Sequence, residues 1–135
     1  MTPRVVLDAE AVSRLARAGA RAEVKAALAA ALRLRRDVVT PAVVLAELYR
    51  GPRHNHLVDA LLSRETAIAV RDTDRALARL VGGVLSAADA GSADMVDAHV
   101  VATAVESGGG TLLTGDPNDL ERLAASYPHV HVTPI

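Results

Sequence analysis

Cysteine is absent from this 135-residue chain. Its absence excludes a disulfide scaffold, a thiolate nucleophile, an iron–sulfur cluster and a cysteine-ligated zinc site, and it fits a reducing compartment such as the cytoplasm. Phenylalanine and tryptophan are also missing and tyrosine occurs twice. Without a row of aromatic faces the chain cannot hold single-stranded bases on a stacking platform, so contact with nucleic acid has to be largely electrostatic. Lysine occurs once, at Lys25, so 14 of the 15 basic residues are arginine. No run reaches the roughly 18 uncharged apolar residues of a membrane helix, and the first residues lack the apolar core of a signal peptide.

What remains is half hydrophobic, at the size of a single globular domain over 1–135 with a sizeable core. A net charge of −1 conceals an imbalance: residues 1–65 carry +4 and residues 66–135 carry −5. Short apolar runs ending in polar residues, Val5-Val6-Leu7 before Asp8 and Leu112-Leu113-Thr114 before Asp116, read as buried strands. Three more strands are expected over 37–40, 67–70 and 130–132. Between them lie helical patterns over 10–18, 21–36, 55–65, 73–88, 94–106 and 116–126, with Gly19 separating the first two. Thr40-Pro41 reads as an N-cap and first helical residue of another helix, which Gly51-Pro52 ends. Strands alternating with helices predict right-handed crossovers and a mostly parallel sheet covered by helices.

Acidic residues belong on wet faces, so the informative ones lie beside apolar runs. Asp8 ends the first strand, where ligands collect in parallel sheets, although it also suits the cap of the next helix. Glu47 follows Val43 and Val44 at helical spacing, which turns it toward the apolar face; a salt bridge to Arg50 or Arg53 is the structural alternative. Asp97 sits in the sequence Met95-Val96-Asp97-Ala98-His99-Val100-Val101, a helix with little polar surface. Asp94 one turn earlier suits its N-cap, which would leave Asp97 as a dipole-favoured charge. Asp116 opens Asp116-Pro117-Asn118-Asp119, a strong helix start, and Asp119 reads as first-turn charge.

In a parallel sheet the two acid-tipped strands emerge on one edge, where the helices after Thr40 and near Asp94 also begin. Four carboxylates are thereby predicted to converge. They cannot share a small crevice as bare anions, so either some are protonated or a hard divalent cation neutralises them. An all-oxygen donor set suits Mg²⁺ or Mn²⁺, and such an ion activates water for in-line attack on a phosphodiester.

The blocks VVLDAEAVSRLA, TPAVVLAELYRG, ADMVDAHVVATAVESGG and TLLTGDPNDLERLA, in this order over nearly the whole chain, resemble PIN-domain ribonucleases of the VapC toxin type. The resemblance implies an α/β fold, a three-layer α/β/α sandwich with a five-stranded parallel sheet. It also implies a Mg²⁺- or Mn²⁺-dependent endonuclease cutting single-stranded regions of tRNA or rRNA to leave 5′-phosphate and 3′-hydroxyl ends, a homodimer, and a cognate antitoxin. The family's acids map onto Asp8, Glu47, Asp97 and Asp116, with Asp94 as an additional ligand and Thr114 as polar support. One departure stands out: the family often has a small hydroxyl residue one or two places after the first acid, where this chain has Ala9 and Glu10, with Ser13 only later.

The basic first half supplies candidates for holding an RNA backbone: Arg14, Arg17, Arg21, Arg33, Arg35, Arg36 and Arg50. Each also reads as part of a solvated helix face, and Arg50 equally as a partner of Glu47. The pairs His54/His56 and His129/His131 lack a third ligand and read as surface residues, while His99 reads as a core or rim residue. Two other readings keep the fold: a non-catalytic PIN-like module that binds RNA or protein, and a PIN nuclease of RNA maturation. A haloacid-dehalogenase phosphotransferase lacks its second aspartate at Glu10, and a receiver domain lacks its lysine after the last strand.

Overall fold

The computed structural model describes residues 3–17, 26, 29, 30, 33, 34 and 37–135. The helix expected over 21–36, together with Gly19, Arg21, Arg35 and Arg36, lies largely or wholly outside them. Five strands form one sheet: β1 (Arg4–Leu7), β2 (Asp37–Pro41), β3 (Ile68–Arg71), β4 (Gly110–Thr114) and β5 (Val130–Pro134). Their order is β3-β2-β1-β4-β5 and every pairing is parallel. The runs that form the central strands are apolar because both faces are covered, and Val5, Val6, Leu7, Val38, Val39, Leu112 and Leu113 are all buried.

The described helices are α1 (Ala9–Ala16), α2 (Ala42–Leu48), α3 (Pro52–Arg64), α4 (Arg75–Ala87), α5 (Met95–Val105) and α6 (Pro117–Ala124), with a 3₁₀ turn at Ser92–Asp94. From β1 the chain runs outward through β2 to β3, then returns to β4 and continues to β5. Right-handed crossovers therefore put α1 to α3 on one face and α4 to α6 on the other, and α1 packs on α3 while α5 packs on α4 and α6. This is the α/β/α arrangement expected from the sequence, with the sheet wholly parallel. Strand order reverses between β1 and β4, which opens a crevice at their carboxyl ends.

α5 is central to this frame. Every residue from Ala98 to Ala104 is buried, so this helix has no wet side beyond its ends. It stops where Gly108 (φ 85°) and Gly109 (φ 133°) enter a backbone region closed to most side chains, and a Cβ on Gly109 would also strike His129. Just past its C-terminal end, Glu106 accepts from both Arg4 and Arg71, tying α5 to β1 and to the end of β3.

Two local expectations are corrected. Thr40 and Pro41 are the last residues of β2, paired with Val70 and Arg71, and α2 begins at Ala42. The Thr40 hydroxyl, fully buried, donates to the Leu7 carbonyl at 3.0 Å rather than capping a helix, so the ladder and a cross-strand bond outweigh the local cap signal. Gly51 and Pro52 do not end the preceding helix, which stops at Leu48. Gly51 (φ 99°) instead turns the chain into α3, with Pro52 in the first turn, three residues ahead of the expected start at Asn55.

Candidate metal-binding active site

A cleft of about 330 Å³ opens at the carboxyl ends of β1 and β4, bounded by Asp8, Glu10, Glu47, Asp97 and Asp116, with Ala9, Val96, Val100 and Gly115 between them. The four acids singled out in the sequence come from four separate segments, and the topology brings them to one opening. Asp8 follows β1 directly, and its backbone N–H donates to Leu113 of β4, which locks the two strand ends together. Asp116 follows β4 after Thr114 and Gly115. Asp97 projects from the first turn of α5, and Glu47 from the last turn of α2.

Asp8 is the most enclosed of them, 8% exposed. It performs both roles that the sequence left open: one carboxylate oxygen accepts the Ala11 N–H at 2.9 Å and caps α1, while the residue still lines the cleft. Burial pushes its carboxyl above the usual range, and the Thr114 hydroxyl and the Ala11 N–H pull it partly back. Thr114 is fully buried and also accepts the Asp116 N–H at 3.0 Å, so a single hydroxyl sits between the two acids as polar support.

Asp97 is half-buried, and its carboxyl is pushed up to about 6, first by burial and then by repulsion from Asp119, Asp8, Glu47 and Asp94. A carboxylate raised by its like-charged neighbours is in want of a cation. Asp116 occupies the cap position of α6 but its side chain makes no capping bond, and Pro117 starts the helix instead. Exposed and uncapped, Asp116 keeps both oxygens available.

Glu47 corrects another expectation. Helical spacing puts it toward the apolar face, yet it is exposed at the rim of the cleft. α2 is only seven residues long and buries Val44 and Leu45; Val43, which shares the Glu47 stripe, is itself only half-buried. Arg50 does not pair with Glu47 but donates to the carbonyls of Ala46 and Tyr49, closing the end of α2.

The remaining predicted residues divide as follows. Asp94 does not line the cleft and makes no side-chain cap; Arg122 holds it at 2.8 Å and reaches Asp119 at 3.8 Å. Arg14 is bound to Glu10 at 2.9 Å, Arg17 is exposed and donates to Ser13, and Arg33 is exposed. His54, His56, His129 and His131 are exposed, and His99 is buried with its Nδ1 against the Met95 carbonyl. Sequence reasoning missed two contributors: Glu10, which lines the cleft, and Asp119, the leading charge acting on Asp97. For Asp119 the available signal was its spacing of one helical turn from Asp116.

Chemically, the cleft offers hard oxygen donors and no sulfur or imidazole, the set expected for Mg²⁺ or Mn²⁺ and not for zinc or copper. Among the described residues the carboxylates surround the space without closing on a common point. The lining thus carries the donor chemistry for such an ion, with Glu47 and Asp116 as exposed side chains at the mouth of the cleft.

The architecture is that of a parallel α/β protein with an acidic site at its switch point. The model of the PIN domain matches residues 5–126, so the chain belongs to the PIN domain family, whose members are in general nucleases. No curated protein matches it by sequence. Among solved structures it is similar to a chain of VapBC2 from Rickettsia felis bound to a DNA fragment from their promoter, with 17% identity, a TM-score of 0.69 and coverage of 97% of this chain and 98% of that one. It is likewise similar to a chain of a toxin–antitoxin complex from Klebsiella pneumoniae (18%, TM-score 0.67, 93% and 94%) and to one of FitAB bound to the IR36 DNA fragment (19%, TM-score 0.65, 96% and 94%). At these identities the likeness is one of fold.

Proposed function

We propose that the chain is a divalent-metal-dependent endoribonuclease, the VapC-type toxin of a toxin–antitoxin pair. The observation that carries this reading is the convergence of Asp8, Glu47, Asp97 and Asp116 from four distant segments on one cleft, with Asp97 raised to about 6 by burial and mutual repulsion. Asp8, Asp97 and Asp116 with Glu47 would hold Mg²⁺ or Mn²⁺, which supplies an activated water and charge stabilisation for phosphodiester hydrolysis when bound. The chain's own residues do the rest. The Thr114 hydroxyl bonds Asp8 and accepts the Asp116 N–H, and the Ala11 N–H holds one Asp8 oxygen at the edge of the cleft. Val96 and Val100 provide an apolar wall that limits water.

Partners follow from the same reading. The similar chains come from structures described as VapBC2, FitAB and a toxin–antitoxin complex, which supports a cognate antitoxin for this chain; a homodimeric toxin and a cytoplasmic setting are the expectations that go with this reading. Exposed Arg17 and Arg33, with Arg35 and Arg36, would steer an RNA backbone toward a centre that otherwise repels it. No helix among the described residues is long and apolar enough to cross a membrane.

The test is cleavage of purified tRNA and rRNA by the wild type and by Asp97→Asn, with Mg²⁺, with Mn²⁺ and with EDTA. Metal-dependent cuts that vanish in the variant establish the reading. A folded, antitoxin-free protein that cuts nothing under any condition returns the chain to a binding module.

A further inference from the structure

Glu10 stands two residues after Asp8, at the position where the sequence departs from the family's small hydroxyl. Its side chain lines the same cleft as the four acids and adds to the repulsion on Asp8. Two contacts set where it lies. Arg14, one turn further along α1, donates its Nε–H to Oε1 of Glu10 at 2.9 Å, and Arg14 itself is only 17% exposed. The Glu10 stem lies flat on the backbone of Gly115: a Cβ there would collide with its Cγ and come within 3.4 Å of Nη2 of Arg14. The missing side chain at position 115 is what allows Glu10 to reach over the turn that presents Asp116.

Glu10 adds a fifth carboxylate to the cleft and to the repulsion on Asp8, and Arg14 neutralises its charge from one side only. Oε1 is occupied by Arg14, whereas Oε2 has no hydrogen-bond partner among the described residues and, on a side chain that is 43% exposed, is open to solvent. We infer that Glu10 is a further residue of the metal pocket, its free oxygen serving the bound divalent cation while Arg14 and the bare Cα of Gly115 hold it in position. This rests on the metal-dependent reading above and adds a donor that the four-acid pattern does not contain. Arg14 is accordingly a positioning residue through its Nε, while its Nη1 has no partner among the described residues.

The test is Mn²⁺ binding to the full chain, followed by titration calorimetry and by the spin-resonance signal of free Mn²⁺, with no RNA present. Glu10→Gln keeps the stem over Gly115 and should weaken Mn²⁺ binding by about tenfold or more with an unchanged thermal midpoint. Glu65→Gln, which removes one charge just before the edge strand β3, controls for the general field and should stay within about twofold of the wild type. Asp97→Asn reports on the pocket itself. If Glu10→Gln binds like the wild type while Asp97→Asn fails to bind, Glu10 is only a salt-bridge partner and the inference is overturned while the metal reading stands. If the wild type binds no Mn²⁺, both fall.

Discussion

Asp97→Asn should make the metal-free protein more stable at neutral pH. The Asp97 carboxyl titrates at an ordinary 3.8 in the unfolded chain and at about 6 in the folded one. Its folded state thus binds the proton more tightly, so stability falls as pH rises from about 4 to 6 and stays reduced above that. The full shift would correspond to about 3 kcal/mol. Asp97 is only half enclosed, and solvent screening reduces this to about 1–2 kcal/mol at pH 7. Asparagine removes the charge while keeping the shape. Denaturant unfolding in EDTA should therefore show the variant about 1–2 kcal/mol more stable than wild type at pH 7, the two converging near pH 4 where Asp97 is protonated. Added Mn²⁺ should reverse the order, because a ligand at 100 times its Kd stabilises only the protein that binds it, by about 2.7 kcal/mol. A variant less stable than wild type at pH 7 in EDTA would refute the argument, since it would mean that the Asp97 charge is held by favourable contacts and not by repulsion.

Asp8→Ala and Asp8→Asn separate the two roles of one carboxylate: both should lose Mn²⁺ binding, but only alanine also removes the α1 cap, at about 1 kcal/mol in denaturant unfolding. Asparagine accepts the Ala11 N–H as well as aspartate does, so equal destabilisation by both would reject the cap. Glu106→Gln should lower stability by about 1–3 kcal/mol at pH 7 and leave metal binding intact. Arg71 and Arg4 hold the Glu106 carboxyl below its usual range, so that contribution is present above about pH 4.5 and fades as pH falls further; a wild type and variant with parallel pH profiles would contradict it. Replacing Arg33, Arg35 and Arg36 together should weaken binding of RNA to the Asp97→Asn protein and flatten its dependence on salt, measured by fluorescence anisotropy. An unchanged slope would return these arginines to plain surface.

The parts of this structure that were legible in the sequence are those specified by strong local patterns. Val5-Val6-Leu7 and Leu112-Leu113-Thr114 are strands because nothing else suits short β-branched and leucine runs buried on both faces. α5 is readable as a central helix because its residues are apolar on every side. Asp97 stands out in that helix for the same reason, and parallel topology then carries Asp8 and Asp116 to the same edge. Where local patterns compete with distant partners they fail. Thr40-Pro41 carries the chemistry of a helix start, but pairing with Val70 and Arg71 and the bond to Leu7 are set by strands far away in sequence.

The harder failures concern the direction of side chains. Glu47 lies one turn from an apolar residue, but α2 ends one residue later, and a helix so short has only a narrow buried stripe. Asp94 cannot be assigned to Arg122 from sequence because 28 residues separate them, and it pairs with that arginine and does not line the cleft. Arg14 is the reverse case. Its spacing of four from Glu10 was open to view, and so was the glycine before Asp116; what could not be read was that β4 returns beside β1 and lays that glycine under the Glu10 stem. A glycine invites a reading in terms of backbone freedom, yet at Gly115 the requirement is room for a neighbour's side chain. Gly115→Ala should therefore displace Glu10 and disturb Asp116 together, a coupling between α1 and the β4–α6 turn that exists only because strand order reverses between them.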